Sequence, residues 1–358
     1  MGRTLEFPGF VDVHVHFRDP GMPTAETTAS GAEAARRGGF AAVVTMPNTS
    51  PAGDSVEWVR RQLDGSLPVK IIPSACITEG RLGKKVADLE RLAEAGAAFF
   101  TDDGSYVCED AIMESAMKRI ADLGMVVCDH ALVPNGGVLR DCALARRLSL
   151  PVIPAAAEIE AVKRDISLCR TTGCRVHIQH ISTAGGVELV RLAQKEGLPV
   201  TAEATPHHLL FSCEDLTEDN ANFKMAPPLG NHEDRAELRK AVKDGVLMFA
   251  TDHAPHPAQT KSSGFLTSAN GIISLECAVA VTYAVMVEEE GMDVEAWARA
   301  WWELPRWIVA GAEQITTKTR LCIDEKNPHK VDISSFASLS RNCPYDGMAF
   351  SCWPVEGV

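Results

Sequence analysis

Eight short β-type apolar runs alternate with amphipathic helical stretches along most of the chain, and this alternation restricts the fold more than any other feature of the sequence. A strand followed by a helix, repeated, is the pattern of βα units around a parallel sheet. The runs lie at 9–17 (GFVDVHVHF), 41–48 (AAVVTMPN), 69–77 (VKIIPSACI), 97–103 (AAFFTDD), 126–130, 175–182 (RVHIQHIS), 199–206 and 246–252 (VLMFATD). Helical patterns between them, such as 84–96 and 185–197, each close on a glycine suited to a helix C-terminus. Eight such units predict an α/β protein of the (β/α)8 TIM-barrel type. An open doubly wound sheet has fewer strands and a Gly-rich phosphate turn, and no GxGxxG or Walker pattern occurs. A length of 358 residues suits one large barrel with insertions. Residues 1–317 are assigned to the barrel. Residues 318–358, with Pro328, Pro344 and Pro354, are expected to form an irregular C-terminal extension packed on it.

Composition narrows the function. Hydrophobic residues make up 46% and charged residues 23%, the balance of a folded globular chain. The net charge is −13 and no stretch clusters Lys and Arg densely, so nucleic acid is not an expected partner. The longest nearly apolar run, 278–287, falls well short of the roughly 20 residues that cross a bilayer. The start, MGRTLEFPGF, lacks a basic segment followed by an apolar one, so a cytoplasmic location is expected. Eleven cysteines, an odd number with no CxxC pair, read as reduced thiols.

Histidines and aspartates sit at the C-terminal ends of many of the strand candidates, where a barrel of this type builds its active site. His14 and His16 are two apart, so a strand points both imidazoles to one side, and two convergent imidazoles invite a metal. His130 closes the fifth run and His180 the sixth. In HIQH the two histidines are three apart and face opposite ways in a strand, so His180 is taken as inward-facing and His177 as a packing residue. Carboxylates to balance a dication come from TDDG (101–104) and TDHAPH (251–256). Asp252 ends the eighth run beside the first, where it can touch a metal and shuttle a proton as general acid/base. Taken singly, each aspartate is more often a turn residue than a ligand. Their convergence with the histidines favours the functional reading.

The motifs HVHFRDPG (14–21), MPNT (46–49), FTDDG (100–104), HIQHIS (177–182) and ATDHAPH (250–256) resemble those of the bacterial type I dihydroorotases, in the cyclic-amidase branch of the amidohydrolase superfamily. The resemblance runs from about residue 8 to residue 347. It implies a hydrolase catalysing the reversible cyclisation of N-carbamoyl-L-aspartate to L-dihydroorotate in pyrimidine biosynthesis. It also implies one or two Zn(2+) ions held by His14, His16, Asp103, His130, His180 and Asp252. Many relatives bridge two metals with a carboxylated lysine, but no lysine lies between Lys85 and Lys118. The aspartate before glycine, Asp103, matches the type I bridge, whereas strand alternation from Ala98 favours Asp102. The family's substrate-carboxylate residues map to Arg18, Asn48 and His256. Their plainer readings are a pair with Asp19, a turn cap and a packing residue.

Departures accompany the resemblance. Where the family reads (K/R)xNPPLR, this chain reads KMAPPLG, so Ala226 replaces an Asn that contacts the ring and Gly230 replaces an Arg. The usual GIxGLET becomes GIISLEC (271–277). Family members are longer at both ends, so the usual small β-sandwich is expected to be absent or incomplete. The partners implied are a small-molecule substrate and either further copies of the chain or aspartate transcarbamoylase. A non-catalytic partner of that transcarbamoylase and a hydantoinase- or allantoinase-like cyclic amidase are the competing readings.

Overall fold

The computed structural model describes residues 2–63, 65–309 and 315–355. A short outer strand, β1 (Arg3–Pro8), leads straight into β2 (Phe10–Val15). The barrel continues through β3 (Phe40–Thr45), β4 (Lys70–Pro73), β5 (Val126–Asp129), β6 (Arg175–Ile178), β7 (Val200–Ala204) and β8 (Leu247–Phe249). Paired neighbours from β2 to β8 are parallel. The expected fourth strand, 97–103, is reduced to a bridging segment between β4 and β5. The Ala98 N–H donates to the Pro73 carbonyl at 2.8 Å and the Phe100 N–H to the Val126 carbonyl at 3.1 Å. The ring closes where Val15 bridges His253 and the His16 N–H donates to the His253 carbonyl at 2.8 Å. The fold is the expected (β/α)8 barrel.

Two apolar layers hold it together. Val11, Val13, Val44, Ile72, Phe99 and Met248 fill the barrel interior. A larger layer, including Val15, Val43, Val127, Val176 and Phe249, lies between the strands and the surrounding helices. The helix expected at 84–96 is shorter, Leu89–Ala95. Thr78 and Val86 pair as an antiparallel bridge and the Ala87 N–H donates to the Ile77 carbonyl, so the chain is still extended until Asp88 caps the helix. The other pattern, 185–197, forms a helix at Ala184–Lys195 capped by Thr183.

The C-terminal extension is not irregular throughout. β9 (Lys318–Ile323) pairs antiparallel with β1, β10 (His329–Lys330) pairs with β11 (Ala349–Phe350), and β12 (Cys352–Pro354) pairs with β9. The correction follows from alternation at both ends of the chain. Phe7, Leu321 and Ile323 are buried, while Glu6 and Arg320 meet on the outer face at 2.9 Å. Pro328 and Pro344 fall outside strands, and Pro354 ends one. Among the described residues the result is a three-stranded sheet, β1–β9–β12, and a two-stranded one, β10–β11. Among the described residues no helix is long and apolar enough to cross a membrane.

Candidate active site

A bulge sets the aim of the first two histidines. Val11 and Val13 face the barrel interior, so strict alternation would carry His14 outward. Between Asp12 and Val15, β2 holds one residue more than the facing stretch of β3, which reverses the phase and turns His14 and His16 into the barrel mouth. Asp12 replaces ladder bonds lost there, accepting from the His14 N–H at 3.2 Å and from the Thr251 N–H at 3.1 Å. Burial pushes the Asp12 carboxyl up to about 7, against those hydrogen bonds. Sequence reading missed this residue.

Asp103 stands at the centre of the mouth. Its Oδ1 lies 3.3 Å from His14 Nε2 and 3.5 Å from both His130 Nδ1 and His180 Nε2; its Oδ2 lies 3.3 Å from His16 Nε2. Asp102 turns away and accepts from the Ile77 and Thr78 backbone N–H groups at 2.9 and 3.1 Å and from the Thr78 hydroxyl. Asp252 Oδ1 is 2.9 Å from His16 Nε2 and 3.5 Å from His14 Nε2. His14, Asp103 and His180 form one group able to hold a metal ion, and His14, His16 and Asp252 form a second that shares His14. His130 lies 2.9 Å from His180. All six expected residues are thus brought together and buried.

The HIQH expectation needs correction. β6 ends at Ile178, and His180 adopts a left-handed backbone with φ 33°, which lets it reach the mouth although His177 also faces inward. His177 is not mere packing: its Nε2 lies 2.9 Å from Glu203 and its Nδ1 2.9 Å from the Thr201 hydroxyl. Among the described residues five non-glycine residues have positive φ. Arg18, His180 and Asp252 are site residues, and Arg81 donates to the Asp103 carbonyl at 2.6 Å. Such backbone persists only where its surroundings over-determine it.

Glu203 on β7 is the second residue that sequence reading missed. It lies 2.6 Å from His14 Nδ1 and accepts from the His180 N–H at 3.1 Å. Burial opposes its charge, yet His14 and His177 hold its carboxyl down at about 2. An ionised carboxylate only accepts, so His14 Nδ1 carries the proton and Nε2 is turned toward Asp103. A lone carboxylate between Ala202 and Ala204 in a strand of small residues was the available signal.

The donor set fits a cation. His14 Nε2 and Asp103 Oδ1 are buried, 3.3 Å apart, and neither has a hydrogen-bond partner. A cation shared between them repairs that defect. Burial pulls the His14 imidazole down, but the charges of Asp103, Glu203 and Asp252 outweigh it and lift the ring well above its ordinary range. A proton and a metal ion therefore compete for the same position.

Above the cluster opens a cavity of about 200 Å³ whose wall includes Arg18, Asn48, Ala226 and His256. Asn48 Oδ1 lies 2.8 Å from His16 Nδ1 and so fixes the His16 ring. Arg18 does not pair with Asp19, which instead takes Arg61 at 2.9 Å. His256 Nε2 lies 2.6 Å from the Asn270 carbonyl and 3.2 Å from Arg18 Nη2. A carbonyl can only accept, so Nε2 carries hydrogen and gives Arg18 no lone pair. Burial and the Arg18 charge push His256 down to about 3, which keeps it neutral. The Arg18 amino edge is left for an anionic ligand. Gly230 is away from this wall: a Cβ there would meet Asp234 Cβ at 2.5 Å and the Ser182 carbonyl at 2.7 Å.

Fold and site together define a barrel hydrolase of the amidohydrolase kind, with a His/Asp cluster at the C-terminal mouth and a cationic rim above it. The chain belongs to the dihydroorotase family. The family model described as "Dihydro-orotase-like" matches residues 2–185. A dihydroorotase from Geobacillus thermodenitrificans is 38% identical over 373 residues, covering 99% of this chain and 86% of that one. Among solved structures, the L-hydantoinase (dihydropyrimidinase) of Arthrobacter aurescens superposes with a TM-score of 0.85 at 24% identity, covering 98% of this chain and 83% of that one. The dihydroorotase of Saccharomyces cerevisiae, solved with 5-fluoroorotic acid, superposes with a TM-score of 0.75 at 18% identity, covering 99% of this chain and 98% of that one. At those identities the two structures show the fold alone.

Proposed function

We propose that this chain is a zinc-dependent dihydroorotase that interconverts L-dihydroorotate and N-carbamoyl-L-aspartate. One observation carries the choice of substrate. Arg18 faces the cavity with an amino edge that His256 cannot occupy, opposite the His/Asp cluster. Dihydroorotate bears a carboxylate beside its cyclic amide, whereas hydantoin and allantoin bear none, and a guanidinium fork matches a carboxylate.

His14, His16, Asp103, His130, His180 and Asp252 would hold one or two zinc ions. Bound zinc supplies a Lewis acid and brings the pKa of water into the neutral range. Arg18 binds the ring carboxylate and orients the scissile amide toward the cluster, with the neutral His256 ring fixed beside it by the Asn270 carbonyl, while Asn48 holds His16 in the ring orientation that the cluster needs. Burial raises the Asp252 carboxyl, but His14, His16 and His180 hold it well below the ordinary range, so it enters the reaction as a base. In hydrolysis a water oxygen bonds to the amide carbon, Asp252 takes the water proton, the ring C–N bond breaks, and the same proton passes to the departing nitrogen. Cyclisation reverses each step.

The test is turnover of dihydroorotate, hydantoin and allantoin by purified zinc-loaded protein. The reading predicts the highest kcat/KM on dihydroorotate and a steep loss on that substrate alone in Arg18→Met. Equal or better turnover of hydantoin overturns it.

A further inference from the structure

Lys261 lies outside the cavity wall but fastens two parts of it. Its ammonium donates to three backbone carbonyls, those of Lys224 at 3.1 Å, Ala269 at 2.9 Å and Gly271 at 2.8 Å. An ammonium carries three hydrogens, so all its donors are committed. The carbonyls of Ala269 and Gly271 bracket Asn270, whose own carbonyl holds His256 Nε2 at 2.6 Å. The Lys224 carbonyl also accepts from the Gly271 N–H at 2.9 Å, and Ala226, two residues on, lines the same cavity.

The Asn342 amide, from the C-terminal extension, supports the same region by donating to the carbonyls of Ala254 and Gly271, each at 3.0 Å. It does not reach the carbonyls of Lys224 and Ala269, so Lys261 shares the spacing of 269–271 from 224–226 with two other ties: the Gly271 N–H to the Lys224 carbonyl at 2.9 Å and the Lys224 ammonium to the Ser268 carbonyl at 2.6 Å. Asn270 and Gly271 face the ligand space directly, with His256 beside them.

We propose that Lys261 is a positioning residue for substrate binding: together with the Gly271 N–H bond to the Lys224 carbonyl it sets the separation of the 224–226 and 269–271 walls, and thereby the shape of the ligand end of the cavity that Ala226, His256, Asn270 and Gly271 line. The proposal rests on the dihydroorotase reading for its substrate. It predicts an effect on KM, because the clamped walls hold the ligand end of the cavity and not the His/Asp cluster.

The experiment compares Lys261→Met, which keeps the aliphatic stem and loses the donors, with Lys261→Arg and the wild type. In Met, KM for dihydroorotate should rise roughly tenfold to a hundredfold, the scale set by displaced binding groups. Its kcat should stay within about threefold and its zinc content should match the wild type, while Arg should recover part of the loss. Unchanged KM with only a lower active fraction is what general support of the fold produces, and overturns the proposal. Amide hydrogen exchange supplies a readout without substrate. The Ala269 and Gly271 N–H groups, bonded to the Thr260 and Lys224 carbonyls, should exchange faster in Met. Unchanged exchange there also overturns the clamp. If Lys261→Met does not fold, Lys261→Gln retains two donor hydrogens and should show an intermediate KM and exchange rate; wild-type values in Gln overturn it too. Wild-type protein inactive on dihydroorotate would sink the functional reading, and exchange would still judge the clamp.

Discussion

Replacing Glu203 by Gln tests whether the His14 ring is held ready for a metal. The carboxylate serves three donors: His14 Nδ1 at 2.6 Å, His177 Nε2 at 2.9 Å and the His180 N–H at 3.1 Å. Glutamine keeps one acceptor oxygen, enough for His14 and His180, and presents its amino group to His177. His177 can answer by moving its proton to Nδ1 and donating to the Thr201 hydroxyl 2.9 Å away. The fold should therefore survive, and what is lost is the negative charge behind His14. Outer carboxylates of this kind typically govern metal affinity by about 10- to 100-fold, or roughly 1.4 to 2.7 kcal/mol. Chelator competition against a fluorescent zinc indicator should show that weakening, with melting of the metal-free protein little changed. Glu203→Ala should instead destabilise the metal-free protein by about 2 to 6 kcal/mol, since at least two buried donors lose their acceptor at about 1 to 3 kcal/mol each. Wild-type zinc affinity in Glu203→Gln would refute the argument that this residue tunes the centre.

Asp252→Asn should lower turnover by about 100- to 10,000-fold while zinc stays bound, because a positioned general acid/base contributes on that scale; activity within tenfold of wild type removes it from proton transfer. Asp103→Ala should abolish most metal binding, whereas Asp102→Ala should keep the metal and lower the melting temperature, since Asp102 serves the Ile77 and Thr78 backbone; elemental analysis showing the reverse order would exchange the two roles. Glu276 is buried and its carboxyl is pushed up to about 7 by that burial. A carboxyl raised in the folded state binds its proton more tightly there, so its contribution is full below about pH 4.5 and fades as pH rises through 7, by about 3 kcal/mol at most. Denaturant melts from pH 5 to 8 should fall less steeply in Glu276→Gln, and parallel wild-type and variant profiles would show that Glu276 is not the source.

Reading the barrel from sequence worked because its signal is local. Alternating apolar runs and the histidines that close them need only the period of a strand, and His14, His16, Asp103, His130, His180 and Asp252 indeed converge. Local periodicity failed where backbone geometry changes phase. The bulge after Asp12 and the left-handed turn at His180 both put an imidazole where alternation would not. Sheet pairing at the chain ends was lost for another reason. β1 and β9 meet across more than 300 residues, and neither carries a run long enough to announce a partner. Glu203, Lys261 and Asn342 touch groups remote in sequence or hold backbone atoms, so residue type alone gives little warning of them.

The charge arrangement explains why those missed residues matter. Asp103, Asp252 and Glu203 are buried against His14, His16, His130 and His180, and burial alone would neutralise the three carboxylates. Asp103 and Glu203 stay ionised because the His14 imidazole beside them, lifted well above its ordinary range, supplies positive charge and neighbouring imidazoles donate hydrogen bonds. On the proposed reading a dication would compete with the imidazole protons for the same buried positions. Asp252 differs from Asp103 in position, not in chemistry. Asp103 is surrounded by four imidazoles, whereas Asp252 contacts two and lies at the edge of the cavity, held there by a backbone φ of 47°. On the proposed reading, Asp103, enclosed by four imidazoles, would be confined to holding metal, whereas Asp252 at the cavity edge would also be able to meet a water and a departing nitrogen. The division of labour proposed for these two aspartates would then follow from where the backbone places them and not from any difference in their chemistry.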